Sequence, residues 1–238
     1  MGRSTKNVTG PKKAIVLLSG GLDSATAAAV AKDQGYELYG LTVSYGQRHI
    51  KEVAAAKLVG KALGLKDHFF SEIVLGKDGS ALLDEGSGVP LDRKDDQIRS
   101  GEIPSTYVPA RNIILLSIAA YWAEVVGAEA IFTGFNVIDY SGYPDCSKEF
   151  VAQFERTLKV GTKTGREGRP PKVIAPLLAL DKAGIIRLGT RLKVPYDLTW
   201  SCYKGGKRAC GRCDSCRLRL KGFETVGMAD PIDYDNPD

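Results

Sequence analysis

Six consecutive residues, Ser19-Gly20-Gly21-Leu22-Asp23-Ser24, carry the plainest chemical signal in this chain of 238 residues. Two glycines let a backbone approach an anion without interference from Cβ, and Ser19 and Ser24 add hydroxyls. A helix starting here contributes unpaired amides and a partial positive charge, so the segment suits a polyphosphate. Asp23 would repel phosphate directly, which leaves it to cap the helix and to hold Mg²⁺ between phosphates. A tight glycine turn with a capping Asp can be written with the same letters. Position favours the ligand, because the segment falls between an expected strand and an expected helix, where an open α/β sheet places its crevice. The chain has no Gly-x-x-x-x-Gly-Lys-Ser/Thr loop and no dinucleotide fingerprint.

The second signal is Cys202, Cys210, Cys213 and Cys216, with seven, two and two residues between them. Four thiolates this close match a closed, tetrahedral structural zinc site. Paired disulfides or a redox centre are the other readings; the first of these needs an oxidising compartment. Cys146 stands apart and reads as a buried thiol, with a nucleophile as the alternative. Of the two histidines, His68 sits in an apolar run and reads as structural. His49 follows Tyr45-Gly46-Gln47-Arg48 at the end of the second expected strand, where a ligand contact is favoured over packing.

Three further clusters fall on strand ends or loops. Val108-Pro109-Ala110-Arg111-Asn112 opens a helix, and the Arg111 fork suits a carboxylate or a phosphate. Asp139-Tyr140-Ser141-Gly142-Tyr143-Pro144-Asp145-Cys146 is dense in donors and acceptors. Residues 159–172 bring several basic side chains, Lys163 among them, to one loop that either closes over departing pyrophosphate or is plain surface.

The elements that must position these residues alternate. Strands are expected at 14–18, 37–43, 68–74, 130–133 and 173–175, and helices at 23–32, 50–63, 112–126, 148–160, 182–192 and 214–225. The helix at 112–126 is apolar nearly all round and should be buried. Residues 76–104 form a long polar, glycine-rich stretch expected to be mobile. Such alternation implies an open parallel sheet with helices on both faces, followed by a small C-terminal zinc-binding helical lobe. The expected organisation is a flexible leader at 1–13, an α/β domain at 14–195 and a metal lobe at 196–238. The net charge of +5 suits a phosphate-bearing ligand or RNA, and is equally common in enzymes without a nucleic-acid role. No run approaches the roughly 20 apolar residues of a membrane span, and the leader lacks the apolar core of a signal peptide, so a cytoplasmic protein is expected.

Ser-Gly-Gly-Leu-Asp-Ser resembles the pyrophosphate loop of the N-type ATP pyrophosphatases, which cleave ATP between the α and β phosphates and transfer AMP to a substrate oxygen. With Tyr45-Gly46-Gln47-Arg48-His49, Val108 to Asn112, Ser141 to Cys146, Leu198-Thr199-Trp200-Ser201-Cys202-Tyr203 and the cysteine knuckle added, the chain resembles the 7-cyano-7-deazaguanine synthases from about Ala14 to Met228. It departs at Ala110, where Gly is expected. The resemblance implies an adenine-nucleotide α-hydrolase-like fold, a partner in a second copy of the chain and no nucleic-acid partner. It also implies a reaction in which 7-carboxy-7-deazaguanine is adenylated by ATP, ammonia displaces AMP to give an amide, and a second adenylation leaves the nitrile preQ0. ATP, Mg²⁺ and Zn²⁺ are the cofactors it implies. On this reading Asp23, Ser24, Arg48 and Lys163 are catalytic. The nucleotide meets Leu18, Ser19, Gly20, Gly21, Leu22, Asp23, Ser24, Ala25, Thr26, Ala27 and Ala28. The acid meets Tyr45, Gln47, Arg48, His49, Arg111, Asn112, Asp139, Tyr143 and Asp145, where an acidic side chain suits the donor edge of a guanine-like ring. Cys202, Cys210, Cys213 and Cys216 hold the metal. Two rivals remain open: a related RNA-thiolating ligase using a cysteine and a basic surface for tRNA, and a zinc-knuckle RNA-binding module without catalysis.

Overall fold

The computed structural model describes residues 10–46, 50–76, 80–84, 88–98, 100–138 and 142–235. The first strand, β1 (Lys13–Leu17), shows why the sheet is covered on both faces. Its apolar residues alternate between two cores: Ala14 and Val16 enter one, Ile15 and Leu17 the other. A strand buried on both faces reads as a continuous apolar run, which is the mark of a parallel sheet.

Helix α1 (Leu22–Asp33) follows, then β2 (Glu37–Ser44), α2 (Ile50–Leu63) and β3 (Asp67–Glu72). After the short α3 (Asp95–Ile98) come α4 (Arg111–Val126), β4 (Ala130–Phe132), α5 (Lys148–Gly161) and α6 (Lys163–Arg166). The chain continues through β5 (Lys172–Ile174), α7 (Lys182–Arg191) and α8 (Asp214–Thr225). All strand pairings are parallel, in the order β3-β2-β1-β4-β5. The chain therefore winds outward from β1 through β2 and β3, then crosses back to lay β4 on the other side of β1. The carboxyl ends of β1 and β4 diverge there, which opens a crevice.

One core joins α1, α2, α7 and α8 to the sheet, through Ala27, Ala28, Val59, Ile185, Ile186 and Phe223. The other joins α4 and α5, through Leu116, Ala119, Ala123, Phe154 and Leu158. Small residues dominate α1 because it lies between the sheet and α7, where a larger side chain would not fit. Helix α4 corrects one expectation. It buries Leu116, Ala119, Ala120 and Ala123, but Tyr121 and Val125 are 62% and 56% exposed, so one side of it faces outward.

His68 is structural, as its apolar setting implied. Its Nε2 lies 2.8 Å from Thr42 Oγ1, its ring packs on Phe70, and burial pushes its pKa down to about 4. The stretch expected to be loose is tied to the C-terminal segment. Leu91 bridges Cys213, Arg93 pairs with Asp214 at 3.3 Å, and Asp92 and Asp95 pair with Arg212 and Lys221. No helix among the described residues is long and apolar enough to cross a membrane.

Ala110, the departure noted above, adopts φ 53° and ψ 18° immediately before α4. Left-handed backbone costs an L residue with a Cβ about 1–2 kcal/mol, and a glycine there loses part of that gain to its freer unfolded chain. Ala110→Gly should therefore stabilise the protein by about 1 kcal/mol, read as a thermal midpoint a few degrees higher.

Candidate active site

The loop after β1 is held in shape by its own hydroxyls. Ser24 Oγ accepts from the Ser19 amide at 3.2 Å, lies 3.0 Å from Ser19 Oγ and donates to the Gly21 carbonyl at 3.0 Å. Gly20 has φ +85°, and a Cβ there would lie 2.4 Å from the Glu52 carbonyl oxygen and 2.6 Å from the Ala56 nitrogen of α2. Its carbonyl accepts from the Trp200 amide at 2.9 Å. On the other flank, a Cβ on Gly134, just after β4, would lie 2.8 Å from the Ser24 nitrogen. Glycine at both points lets three chain segments converge on one loop.

A cavity of about 280 Å³ opens over this loop at the β1/β4 divergence. Ser19, Gly21, Leu22, Asp23 and Ser24 form its floor, Leu41, Thr42 and Val43 at the end of β2 one side, and Tyr45 and Arg111 another. A second cavity of about 160 Å³ shares Asp23, Arg111, Asn112 and Gly134 with the first and extends to Asn136, Tyr143 and Cys146.

The charges inside are few and specific. Asp23 does not cap α1, whose N-cap is Gly21 with no side-chain cap. Both carboxylate oxygens of Asp23 instead lie 2.8 Å from Lys182 Nζ, at the start of α7. Lys182 is itself buried. Arg111, the first residue of α4, reaches Tyr45 with Nη1 at 3.3 Å from the hydroxyl. Beneath it, Asp145 Oδ2 accepts the Asn112 amide at 3.0 Å and so caps α4 from a distance, while Asp145 Oδ1 is buried without a hydrogen-bond partner among the described residues. Tyr143 places its hydroxyl 2.9 Å from Thr106 Oγ1. Burial pushes the Cys146 thiol up to about 12, with Asp145 adding to the effect, and Asn112 donates to its sulfur at 3.1 Å. Burial of this kind holds a thiol in its neutral form, which speaks against Cys146 as a nucleophile. Glu52 also lines the first cavity, and burial pushes its carboxyl up to about 7 against the pull of Arg111.

Of the expected contacts, Leu18, Ser19, Gly21, Leu22, Asp23, Ser24, Tyr45, Arg111 and Asn112 line the first cavity, and Tyr143 lines the second. The other expected residues are placed differently. A side chain at Gly20 would point into α2. Ala25, Thr26, Ala27 and Ala28 are fully buried, and Thr26 bonds Leu22 and Tyr196, because only the first turn of α1 reaches the crevice. Lys163 begins α6 beside Thr164, whose amide donates to Glu124 near the far end of α4. Thirteen residues of helix, about 20 Å, separate Glu124 from Arg111. The basic stretch around Lys163 thus leads into the start of β5 at the amino edge of the sheet, and Lys163 does not line either cavity. Asp145 lies under the second cavity rather than along it. Gln47, Arg48, His49 and Asp139 lie outside the described residues.

The sequence reading missed Lys182, Glu52 and the wall supplied by Trp200, Ser201, Tyr203 and Ser215. For Lys182 a signal existed in a lysine directly after the Asp181 N-cap, at a buried helix start. Trp200, Ser201 and Tyr203 stand in a run that carries the family resemblance, but none of them was assigned a ligand contact. The wall is anchored by Arg219, which is 1% exposed. It donates to Asp230 at 2.7 and 2.9 Å, to Thr199 Oγ1 at 2.7 Å and to the Tyr196 carbonyl at 3.0 Å.

Behind that wall the four sulfurs of Cys202, Cys210, Cys213 and Cys216 lie within 4.8 Å of one another. Zn–S bonds of about 2.3 Å in a tetrahedron place sulfurs about 3.8 Å apart, so this donor set fits zinc. Backbone amides of Lys204 and Cys210 approach Cys202 Sγ, and those of Arg212 and Cys213 approach Cys210 Sγ, as suits thiolate acceptors.

The model of the family described as Queuosine biosynthesis protein QueC matches residues 13–227. The chain belongs to the QueC family. A relative named 7-cyano-7-deazaguanine synthase from Aromatoleum aromaticum is 51% identical over 230 residues, 95% of this chain and the full length of the relative. Another of that name, from Anaeromyxobacter dehalogenans, is 53% identical over 225 residues, covering 94% and 96% of the two chains. Among solved structures, a 4-thiouridine synthetase in complex with RNA and bound ATP is a distant likeness at 20% identity and TM-score 0.49, covering 91% of this chain and 53% of that one. QueC membership is what the loop, the Gly142 to Cys146 run and the cysteine knuckle together implied.

If the thiol cluster holds this wall of the QueC site together, purified protein should carry about one zinc per chain. Chelation should lower the thermal midpoint, and Cys213→Ser should lose both metal and midpoint. Elemental analysis beside calorimetry checks this; full stability without metal would contradict it.

Proposed function

We propose that this chain makes 7-cyano-7-deazaguanine from 7-carboxy-7-deazaguanine, ammonia and ATP, in the cytoplasm and as a homodimer, releasing AMP and pyrophosphate at each of two adenylations. The observation that carries the reading is one continuous site in which a phosphate-type loop and a carboxylate-type arginine face each other. Membership of a family whose relatives are named for that product supports it.

In this reading the triphosphate rests on Ser19, Gly21 and Ser24, with the adenine side toward Leu41, Thr42 and Val43, whose strand end is apolar and exposes backbone groups. Asp23 is the carboxylate that would hold Mg²⁺, which commonly binds one or two carboxylates together with phosphate oxygens. Bound there, the ion neutralises charge on the leaving pyrophosphate. Lys182, 2.8 Å from both Asp23 oxygens, would offer its charge to the phosphates, so the pair would place both charges beside the reacting atoms in advance. Arg111 holds the acid's carboxylate toward the α-phosphate, with Tyr45 fixing the guanidinium. Asn112 and Tyr143 lie around the ring, and Asp145 supports them from below by accepting the Asn112 amide. Ammonia attacks the resulting acyl adenylate, and the amide oxygen is adenylated in its turn before AMP departs to leave the nitrile. The walls from Leu82 and Tyr203 restrict water, which would otherwise hydrolyse the adenylate. The RNA-thiolating alternative needs a reactive cysteine, and the buried Cys146 does not supply one.

Purified protein with Mg²⁺, ammonium and ATP should release two AMP for each nitrile formed, and only when 7-carboxy-7-deazaguanine is present. Product mass spectrometry and an AMP count check this, and AMP release that depends on tRNA instead would contradict it. Asp23→Asn should reduce AMP formation by about a hundredfold or more while keeping the fold. Asp23→Ala would also remove one partner of the buried Lys182 and should lower stability by about 1 kcal/mol, a difference that melting curves of the two variants would reveal.

A further inference from the structure

Glu52 has no part in the scheme above, yet its side chain lines the first cavity. Among the described residues no hydrogen bond or ion pair satisfies its carboxyl. Its nearest electrostatic influences are Arg111, which favours the charge, and Cys202, which opposes it. An acid kept facing a cavity without a partner is costly, and a cation is the ligand that would relieve the cost. The substrates assigned to this site include ATP and a carboxylic acid, both anions that a carboxylate repels. The nitrogen donor is the exception, because ammonia in neutral water is mostly ammonium. Asp23, the other acid lining the cavity, already has Lys182 on both oxygens.

We propose that Glu52 is the ammonium subsite of this cavity: its carboxylate holds the cation and takes the proton that frees ammonia for attack. This rests on the reading given under Proposed function. One N–H bond of ammonium breaks and an O–H bond forms on Glu52, leaving the lone pair on nitrogen. That pair forms the C–N bond to the acyl carbon. The C–O bond to AMP breaks with its electrons, and the adduct's surplus N–H proton passes to the departing phosphate oxygen. The products are amide, AMP carrying one proton, and protonated Glu52, which returns its proton to water when the site reopens.

Glu52→Gln keeps the shape and removes the charge. Three readings on the full-length protein separate the outcomes: acid-dependent exchange of labelled pyrophosphate into ATP without ammonium, steady-state KM for ammonium chloride, and turnover with hydroxylamine, a nucleophile uncharged at neutral pH. The variant should melt no lower than the wild type, keep exchange, keep turnover with hydroxylamine, and show a KM for ammonium raised about ten- to a hundredfold. Glu52→Asp, which retains the charge, should recover part of that loss. Loss of exchange in Glu52→Gln would assign the residue to Mg²⁺ or ATP and overturn the proposal. A raised KM for the acid with ammonium unaffected would assign it to the ring and overturn it equally, as would matching losses with hydroxylamine and ammonium. Absence of exchange in the wild type would instead remove the adenylation reading itself, and this inference with it.

Discussion

The convergence of α2 and the Trp200 segment on Gly20 is the constraint from which the site follows. Its Cα meets the Glu52 carbonyl and the Ala56 amide of α2 at distances no Cβ would allow, and its carbonyl is bound by Trp200. Placing α2 against the loop brings Glu52 and Val53 to the cavity, and placing Trp200 there brings Ser201 and Tyr203. Lys51 extends the same clamp, lying 4.2 Å over the Trp200 ring and donating to the Lys207 carbonyl at 2.7 Å. The metal-binding segment therefore does more than close a lobe. Through Arg219 and Asp230 it fixes residues 196–201, and these fix the loop.

Within the crevice, low exposure makes charge placement decisive, because electrostatic effects strengthen as water is excluded. Asp23 and Lys182 neutralise each other where phosphates would bind, whereas Arg111 and Glu52 stand in the same space without forming a close pair. A part-buried pair such as Asp23–Lys182 is weak evidence of stability, since desolvation offsets much of its attraction. Under the proposed function it is charge held ready for an incoming anion and cation. Arg219–Asp230 is a different case: its exposures are 1% and 2%, and Tyr234 and Thr199 complete the network, so its work is architectural.

The alternation of strand and helix, the loop after the first strand and the four-thiol cluster were all legible before any coordinates. Each is written in short-range terms: a residue period, a glycine pair, a spacing between ligands. Helices α2 and α8 begin and end where the sequence pattern puts them. The same local signals could not say which of the eleven residues from Leu18 to Ala28 face a ligand. That depends on α7 and the sheet enclosing all but the first turn of α1. Nor could they place Lys163, whose basic neighbours look like a phosphate clamp until strand order sets them at the amino edge of the sheet.

What the sequence by itself determined was the class of chemistry and the architecture able to carry it, because backbone preference and burial periodicity act over a few residues. Only the tertiary structure decided the partners. Lys182 meets Asp23 across 159 positions of chain, Trp200 meets Gly20, and Glu52 is left facing the cavity. Those meetings are set by the order in which parallel strands are laid down, a long-range choice that no local run of residues encodes.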